Sequence, residues 1–339
     1  MSMARRITLN VTYNNTRLTD ELGKNLVDWT YTDNLSGEID DLQLVLQDAD
    51  VIWLNDWFPT KGSLLEVEIA RSHWVENVVK TKLGKFEVDE LSGGGPPTKM
   101  TIKALAVPES NSIRGQFKSK AWEKATLKQV VNDIAKANRL KVFWETSENP
   151  KKDRYEQESE TDLAFLHRLC KDEGLCLKLS NSSIVVLDEE DYESKPTVDT
   201  IIRVSKKTCR IQVLDWSFNT TLTGSYKDCR VQSHDAGKKK TIKATFTPKK
   251  APKVGRTLVV KEEVKSVAEA QKLAKKRLRE ANKNATTIQL KVISEMHIDA
   301  GMTFNLIGFG RLNGKYIVTR VTHNKSEISL DLRKCLEGY

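Results

Sequence analysis

Cysteine is scarce in this sequence, and its arrangement excludes two structural roles. The 339 residues include five cysteines, and no two of them form a Cys-x-x-Cys pair. An odd number with irregular spacing argues against a disulfide framework and against a structural zinc site. We therefore expect free thiols, most of them buried, at Cys170, Cys176, Cys209, Cys229 and Cys335.

Long apolar segments are absent as well. No stretch approaches the roughly 20 apolar residues that a membrane-spanning helix needs. The N-terminal segment Met1–Val11 contains two arginines but lacks the apolar core of a secretory signal. We therefore expect no membrane partner.

The sequence also lacks the familiar catalytic motifs. It contains no Gly-x-Ser-x-Gly, no His-Glu-x-x-His, no phosphate-binding loop and no dinucleotide fingerprint. The acidic run Asp188–Asp191 could supply a carboxylate pair, but four consecutive carboxylates are more typical of a solvated turn. The histidines are scattered without metal-ligand spacing, at His73, His167, His234, His297 and His323. The sequence thus predicts no enzyme, no cofactor and no metal.

The net charge of +9 is concentrated in one segment. Lys238–Lys283 contains 16 basic and 4 acidic residues, a net of +12, and the rest of the chain has 39 basic and 42 acidic residues. The excess divides between a loop-like run, Lys238–Lys253, and one face of a helix that follows it. The excess of positive charge therefore belongs to one region and not to the whole surface.

Three interpretations of this basic segment remain open: binding to nucleic acid or an acidic polysaccharide, contact with an acidic protein, and a solvated surface. A charged groove binds single strands best when aromatic side chains accompany it, and Phe246 is the one aromatic residue in the segment. A solvated helix face is the commonest of the three. The candidate contact residues are Lys238, Lys239, Lys240, Lys249, Lys250, Lys253, Lys272, Lys275, Lys276 and Arg279.

The first hundred residues predict β-strands. Leu42, Leu44 and Leu46 recur at every second position, and several other apolar triplets alternate with polar residues; this period of two is typical of half-buried strands. The glycine- and proline-rich stretch Ser92–Pro97 separates two such runs. It predicts a hairpin loop, because no helix start or Lys-Ser/Thr pair follows it.

A section with helices follows, from about residue 108 to 195. Thr126 and Gln129 form a predicted capping box at the start of one helix, whose apolar residues recur at helical spacing. Ser159 is the predicted start of a second helix, which ends at Gly174 in a left-handed cap. Short strands surround the two helices, so the section is predicted to be a small α+β unit.

Strand patterns return after Pro196. A second capping box at Ser266–Glu269 predicts one helix, to about residue 282, which carries lysines and arginines on one side. The dipeptide Asn313–Gly314 predicts a type I′ hairpin between two later strands. The last third is therefore predicted to be an antiparallel sheet or barrel with one packed helix.

Several stretches, taken in order, resemble the phage late control gene D family, the baseplate hubs of contractile tails. No single stretch is specific, but their order and spacing extend over nearly the whole chain. The stretches are Phe58–Ile69, Leu83–Glu90, Gly95–Pro97 before Met100–Ala104, Ser112–Arg114 with Lys120–Leu127, Glu158–Leu166, Ala300–Met302, Asn313–Tyr316 and Val321–His323. The chain is thus similar to these hubs and to the hub part of the valine-glycine repeat spike proteins of type VI secretion.

The resemblance implies a mainly β fold, α+β overall. We expect two antiparallel tube-type β-barrel domains, residues 1–107 and 196–339, separated by the small α+β domain of residues 108–195. It also implies a homotrimer, in which six similar barrels form a ring. A chain that carries the barrel twice would reconcile a three-fold spike with a six-fold tube.

The resemblance further implies a structural role and a set of partners. We expect the chain to join a trimeric central spike protein to the hexameric tail tube, in a phage tail or a tail-like bacteriocin. The tape measure protein and other baseplate proteins are further expected partners, with DNA at most in transit. Its expected location is the virion tail baseplate, assembled in the cytoplasm of the host bacterium.

Overall fold

The computed structural model describes residues 5–72, 79–106, 112–180, 182–204, 210–235, 240–250 and 255–339. Within these ranges the chain is mainly β, as predicted. The strands of the first half are β1 (Arg6–Tyr13), β2 (Thr16–Arg17), β3 (Leu26–Asn34), β4 (Asp41–Gln47), β5 (Leu64–Ser72), β6 (Val79–Gly94), β7 (Lys99–Leu105), β8 (Phe117–Glu123), β9 (Lys141–Glu145) and β10 (Arg154–Thr161).

The strands of the second half include six that belong to the large sheet described below. All eleven are β11 (Leu175–Ser180), β12 (Ser183–Asp188), β13 (Asp199–Ile202), β14 (Ile211–Thr220), β15 (Tyr226–Asp235), β16 (Lys240–Phe246), β17 (Arg256–Val260), β18 (Thr286–Ser294), β19 (Thr303–Ile307), β20 (Gly314–Asn324) and β21 (Ile328–Lys334).

The helices of the described residues are short, apart from the last. They are α1 (Thr19–Asn25), α2 (Ser112–Gly115), α3 (Leu127–Ala137), α4 (Asp162–Asp172), α5 (Glu189–Ser194) and α6 (Val267–Asn282), with one 3-10 turn at Gly310–Leu312. Among these residues, no helix has the length and apolar character that crossing a membrane requires.

One 13-stranded sheet contains strands from both ends of the chain. Its order is β14-β18-β21-β20-β3-β4-β7-β6-β5-β1-β2, with β19 paired to β20 and β13 to β19. We call β1–β7 the N-terminal β block, and β13, β14 and β18–β21 the C-terminal β block. The predicted alternation is confirmed in β4, where Leu42, Leu44 and Leu46 are all buried. The predicted hairpin loop is confirmed as well, since β6 and β7 pair as antiparallel strands around it.

Strand β20 joins the two β blocks. One of its edges pairs with β21 along most of its length, and the other pairs first with β19 and then, from Arg320 to Asn324, with β3. The pairing with β21 shifts register between Val318 and Arg320, where the partner on the opposite edge changes. Bulges of this kind bend a strand and increase its twist. The sheet is open in the described residues, with β14 and β2 at its ends, so these residues contain no closed barrel.

The middle layer, which we define as β8–β12 with α2–α5, packs against both β blocks. Its capping box is confirmed: the Thr126 hydroxyl accepts a hydrogen bond from the Gln129 amide, and the Gln129 side chain accepts one from the Thr126 amide. Gly174 has the predicted left-handed conformation, with φ at +69°. The prediction that Ser159 starts the second helix is wrong. The strand β10 continues through Ser159, and Thr161 caps α4 by accepting a hydrogen bond from the Ala164 amide.

A separate three-stranded sheet, in the order β16-β15-β17, packs on α6. Its apolar face and one face of the helix share a core that includes Val231, Ala270, Ala274 and Leu278. Ser266 caps α6 as predicted by accepting a hydrogen bond from the Glu269 amide. The predicted capping box is incomplete, because the Glu269 carboxylate accepts from the Lys265 amide instead of that of Ser266.

The predicted type I′ hairpin at Asn313–Gly314 is wrong. Asn313 has a φ of −52°, whereas a type I′ turn requires a positive φ at both central residues. The chain instead makes the 3-10 turn at Gly310–Leu312, and the Asn313 side chain accepts a hydrogen bond from the Phe309 amide at 2.7 Å. The connection between β19 and β20 is therefore longer than the dipeptide indicates.

Candidate junction and assembly surfaces

The junction between β3 and β20 contains a buried stack of rings. His323 of β20 is 1% exposed, and its ring lies parallel to that of His297, with 4.6 Å between the ring centroids. On its other side lies Tyr31 of β3, at 5.8 Å. The His323 Nε2 donates to the carbonyl of Ile298 at 2.9 Å, so this ring is the neutral tautomer that carries its proton on Nε2. Burial lowers the pKa of His323 to about 3.

A buried arginine extends this stack into the N-terminal β block. Arg71 of β5 is 2% exposed, and its Nη2 lies 3.5 Å from the Nδ1 of His297. Because a guanidinium can only donate, that nitrogen accepts, and the Nε2 of His297 is free to donate to Asp299 at 3.0 Å. Burial lowers the pKa of Arg71 from its ordinary value, although the charge of Asp299 opposes this effect. The contacts from Arg71 to His297 and from His297 to Asp299 thus connect the two β blocks through side chains.

A second polar cluster connects both β blocks with the middle layer. Lys178 of β11 forms an ion pair with Asp33 of β3 and lies 3.8 Å from Asp40. Asp33 also accepts a hydrogen bond from the amide of Ala300, in the C-terminal β block, at 2.7 Å. Burial raises the pKa of Asp40 to about 7, against the opposing effect of Lys178. Burial alone would lower the pKa of Lys178, but the two carboxylates raise it above its ordinary value.

The acidic run Asp188–Asp191 is not the solvated turn that the sequence indicates. It forms the start of α5, and Asp188 caps this helix by accepting a hydrogen bond from the Glu190 amide. Glu189 is buried and lies 2.7 Å from Arg333 of β21 and 3.5 Å from Lys283. The pKa of Glu189 is lowered, because the charges of Arg333 and Lys283 outweigh the effect of burial. The run therefore holds α5 against the C-terminal β block.

The predicted contact residues on α6 face carboxylates of this same chain. Lys272 and Lys276 lie 2.7 and 3.2 Å from Glu148 of the middle layer. The acidic helix α5 supplies the partners of the other two: Lys275 pairs with Glu190 at 2.8 Å, and Arg279 pairs with Glu193 at 2.7 Å. These four pairs account for much of the charge that the helix contributes. They leave little of it for phosphates, and a role in contacting another protein stays a prediction.

The remaining predicted contact residues belong to the segment Lys238–Lys253, which we call the basic loop although its residues Lys240–Phe246 form β16. Lys249 is exposed, and Lys250 pairs with Glu337. Lys240 begins β16, but its side chain lies outside the described residues, as do Lys238, Lys239 and Lys253. His73 and Cys209 lie outside them too. The other four cysteines are free and buried, as expected. In the described ranges, no group of three or more His, Cys, Asp or Glu side chains could hold a metal ion.

Comparison with known proteins identifies the fold and the family. The family of the phage tail baseplate hub (GPD) matches residues 87–327, which is more than two thirds of the chain. The chain belongs to this family. The matched range begins in β6 and includes both the middle layer and the junction strand β20.

A curated relative supports the same assignment. The probable baseplate hub protein of Escherichia phage P2 is 34% identical over 161 residues, which are 46% of this chain and 39% of that protein. The matched segment thus spans about two fifths of the relative's length. The hub family is one of structural proteins of the tail baseplate and not of enzymes. The expected assignment to the tail baseplate is thereby confirmed, and the role of joining the spike to the tube stays a prediction.

Solved structures confirm the fold over the whole chain. The tail protein from Neisseria meningitidis MC58 covers 97% of this chain and 97% of its own, with a TM-score of 0.73 at 13% identity. The Escherichia coli c3393 protein covers 99% of this chain and 79% of its own, with a TM-score of 0.58 at 12% identity. That protein is described as a type VI secretion component with structural similarity to the T4 tail proteins gp27 and gp5. At these identities the likeness concerns the fold alone.

Sequence reasoning missed the residues of the junction. Asp33, Lys178 and the stacked histidines are unremarkable in the sequence, and their neighbours across the junction are more than a hundred residues away. Alternation and capping signals act over a few residues, so they carry no information on such pairs. The recurrence of a β pattern at both ends of the chain was the available signal, and it indicated two separate units.

Proposed function

We propose that the chain functions as the homotrimeric hub of the baseplate, joining a trimeric central spike to the hexameric tail tube. The observation that carries this proposal is the sheet that runs through both β blocks, with β3 and β20 as neighbours. A chain that presents two β blocks side by side supplies six blocks when three copies assemble. A ring of six then matches the six-fold tube on one face while it keeps the three-fold symmetry of the spike.

We assign the two tube-type barrel domains to residues 1–107 and 196–339, and the intervening α+β domain to residues 108–195. The distribution of buried apolar side chains supports this division. One cluster lies between Leu9 and Ala106, a second between Ile113 and Val186, and a third between Ile201 and Leu332. Each block thus has apolar contacts of its own. In the ring, neighbouring copies would complete the open sheet of each block.

The basic loop is the proposed contact with an acidic neighbour in the tail, which is the spike, the tube or the tape measure protein. Lys249 supports this role because it is exposed and has no carboxylate partner among the described residues. The ion pairs of α6 argue that the helix serves the fold, so the proposed contact centres on the loop lysines, Lys238, Lys239, Lys240, Lys249, Lys250 and Lys253. Lys250 would exchange its exposed pair with Glu337 for the acidic neighbour.

Co-expression with the spike protein of the same particle tests the hub role. We expect a complex of three copies of each chain, measured as an intact mass under native conditions. The chain without the spike serves as the control, and its own mass shows whether it forms a trimer unaided. If no complex with three copies of this chain forms with the spike or without it, the proposed hub role is wrong.

A further inference from the structure

Exposed large apolar side chains concentrate in two regions at opposite parts of the large sheet. The first is the loop between β4 and β5, which we call the aromatic loop; its exposed members are Val51, Ile52, Leu54, Trp57 and Phe58. The second lies on β13, β14 and β19 and just before or after them. We call it the β14 patch, and its exposed members are Val198, Ile202, Val204, Leu214, Phe218, Leu222 and Ile307. A concentration of exposed large apolar side chains is typical of an interaction site.

The aromatic loop lies over an apolar cavity of about 420 Å³ at the mouth of the N-terminal core. Trp53 lines this cavity and is 3% exposed, and its ring meets that of Trp57 edge to face at 5.4 Å. The Nε1 of Trp53 has no hydrogen-bond partner among the described residues. A buried donor without an acceptor is costly. The cavity therefore suits an apolar side chain from a backbone that also offers a carbonyl oxygen.

The β14 patch offers both an apolar side chain and a backbone with carbonyl oxygens unpaired in the described sheet. Among the residues that the structure describes, strand β14 pairs with β18 alone, so its second edge leaves backbone amides and carbonyls without strand partners there. Phe218 is 52% exposed, and its ring stacks with that of Trp216 at 6.0 Å. Trp216 in turn meets Phe309 edge to face at 5.4 Å, which connects β14 with the end of β19. A ten-residue edge strand with exposed apolar side chains is prone to pair with another chain.

Exposed charges on the two surfaces add complementarity. Asp50 and Asp56 are exposed on or beside the aromatic loop, and Arg203 and Arg210 are exposed beside the β14 patch. None of the four has an ion-pair partner among the described residues. Asp215 is an exposed carboxylate of β14 itself, so the positive charge belongs to the flanks of the patch. Opposite charges at the rim of an interface favour one orientation over others.

Symmetry decides how two such surfaces are used. In a three-fold ring each contact is heterologous, so one surface of a copy must meet a different surface of the next copy. We infer that the β14 patch of one copy packs against the aromatic loop and its cavity on the next copy. This inference rests on the proposed homotrimer and names the two surfaces that close it. The apolar side chains of β14 or Leu222 enter the cavity, and a nearby carbonyl accepts from Trp53.

Three matched substitutions test the inference, each changing an exposed phenylalanine to glutamate. Phe58→Glu damages the aromatic loop, Phe218→Glu damages the β14 patch, and Phe117→Glu, at a side chain that is 74% exposed, is the control. Sedimentation of the full-length chain gives the mass of each. We expect trimers from the wild type and the control, and at least about 30-fold weaker association for the other two, since a buried unpaired charge replaces a central apolar contact. Circular dichroism and thermal melts establish that all three variants fold.

Mixing the two damaged variants distinguishes a head-to-tail contact from any other. The Phe58→Glu copy retains its β14 patch and the Phe218→Glu copy retains its aromatic loop, so one intact contact remains. We expect a 1:1 heterodimer that cannot close into a trimer. If the wild type forms trimers and both variants do so equally well, the inference is wrong and the hub proposal stands. If the wild type stays monomeric with and without the spike, the proposed trimer itself fails.

Discussion

Arg333 lies between two buried carboxylates of α5, with its Nη2 2.7 Å from Glu189 and 2.5 Å from Glu193. The arginine is on β21, so this contact fixes the acidic helix of the middle layer to the C-terminal β block. Its side chain is 1% exposed, and those of the two glutamates are 11% and 5% exposed. At such burial the loss of one partner leaves uncompensated charge, which is far more costly than losing a surface ion pair.

We predict that Arg333→Met lowers the free energy of unfolding by about 2–3 kcal/mol, because each buried glutamate loses its contact with Arg333 and keeps only one ion-pair partner among the described residues, Lys283 for Glu189 and Arg279 for Glu193. Equilibrium unfolding in urea measures this loss. A triple variant that also carries Glu189→Gln and Glu193→Gln should regain part of it. The control is Lys85→Met, which removes an exposed pair with Glu66 and should change stability by less than about 1 kcal/mol. Equal effects from the two single substitutions would contradict the assigned role of Arg333.

His323 predicts a loss of stability in mild acid. The folded chain keeps this ring neutral, since its pKa is about 3, whereas the unfolded chain takes up a proton below about pH 6.5. Because the unfolded state then binds more protons, stability falls as the pH drops from about 6.5 towards 3. Asp40, with its pKa raised to about 7, acts in the opposite direction between pH 7 and 4. A measurement on the wild type alone would therefore mix two effects.

The variant His323→Gln isolates the histidine. Glutamine keeps a donor for the carbonyl of Ile298 and does not titrate, and the contribution of Asp40 is common to both proteins. Between pH 7 and 5, we expect the variant to lose about 2 kcal/mol less stability than the wild type. Urea titrations at several pH values measure the difference. His234→Gln, at an exposed histidine, is the control; parallel curves for wild type and His323→Gln would rule out this explanation.

The first turn of α3 offers a local test. Thr126→Ala removes the hydroxyl that accepts from the Gln129 amide and should cost about 1 kcal/mol. Thr126→Ser keeps an acceptor and should cost much less. Thermal melts of the two variants provide the comparison, and similar losses would mean that the cap contributes little in this context.

The basic loop can be tested separately from the fold. The triple change of Lys238, Lys239 and Lys240 to glutamate should leave the melting temperature unchanged and reduce the yield of complete particles, because an acidic neighbour would then meet like charge. Electron microscopy and infectivity counts of the particles measure the effect. Lys82→Glu, on the N-terminal β block, is a matched control at an exposed lysine. Normal particles from the triple variant would contradict the contact role and indicate that the loop is a solvated surface.

Changes on α6, unlike those in the basic loop, should lower the stability of the fold. Lys272→Glu together with Lys276→Glu places like charges beside Glu148, whose pKa is lowered because hydrogen bonds from Lys272 and the charge of Lys276 outweigh burial. We expect a lower melting temperature, with partial recovery when Glu148→Lys is added. No change in melting would mean that these pairs do not hold the helix in place.

Local signals predicted local structure well. Alternation in β4 and the cap at Thr126 depend on a few adjacent residues, and both are confirmed. The dipeptide Asn313–Gly314 misled because the side chain of Asn313 found a different partner, the amide of Phe309. The prediction for Asp188–Asp191 failed for a longer-range reason. Their surroundings in sequence are polar, and the arginine that neutralises Glu189 lies 144 residues away.

The family resemblance predicted the hub family, which local patterns could not do. It did not predict the junction between the two β blocks. Two separate β patterns indicate two units, but the pairing of β3 with β20 depends on which unpaired edges meet in three dimensions. Nothing within either strand specifies that choice. The charges of α6 are a similar case, since the sequence shows the lysines but not that Glu148 and Glu190 would face them.

The shared strand β20 has a consequence for synthesis. Arg320 donates to the side chain of Asn34 across this joint at 2.8 Å, although the two residues are 286 positions apart. A ribosome that adds about 5–20 residues per second needs on the order of 15 s to 1 min for that distance. Until then the edge of β3 is open to strands of other nascent chains. The strand that unites the two blocks therefore also ends the period in which an incomplete chain can aggregate through that edge.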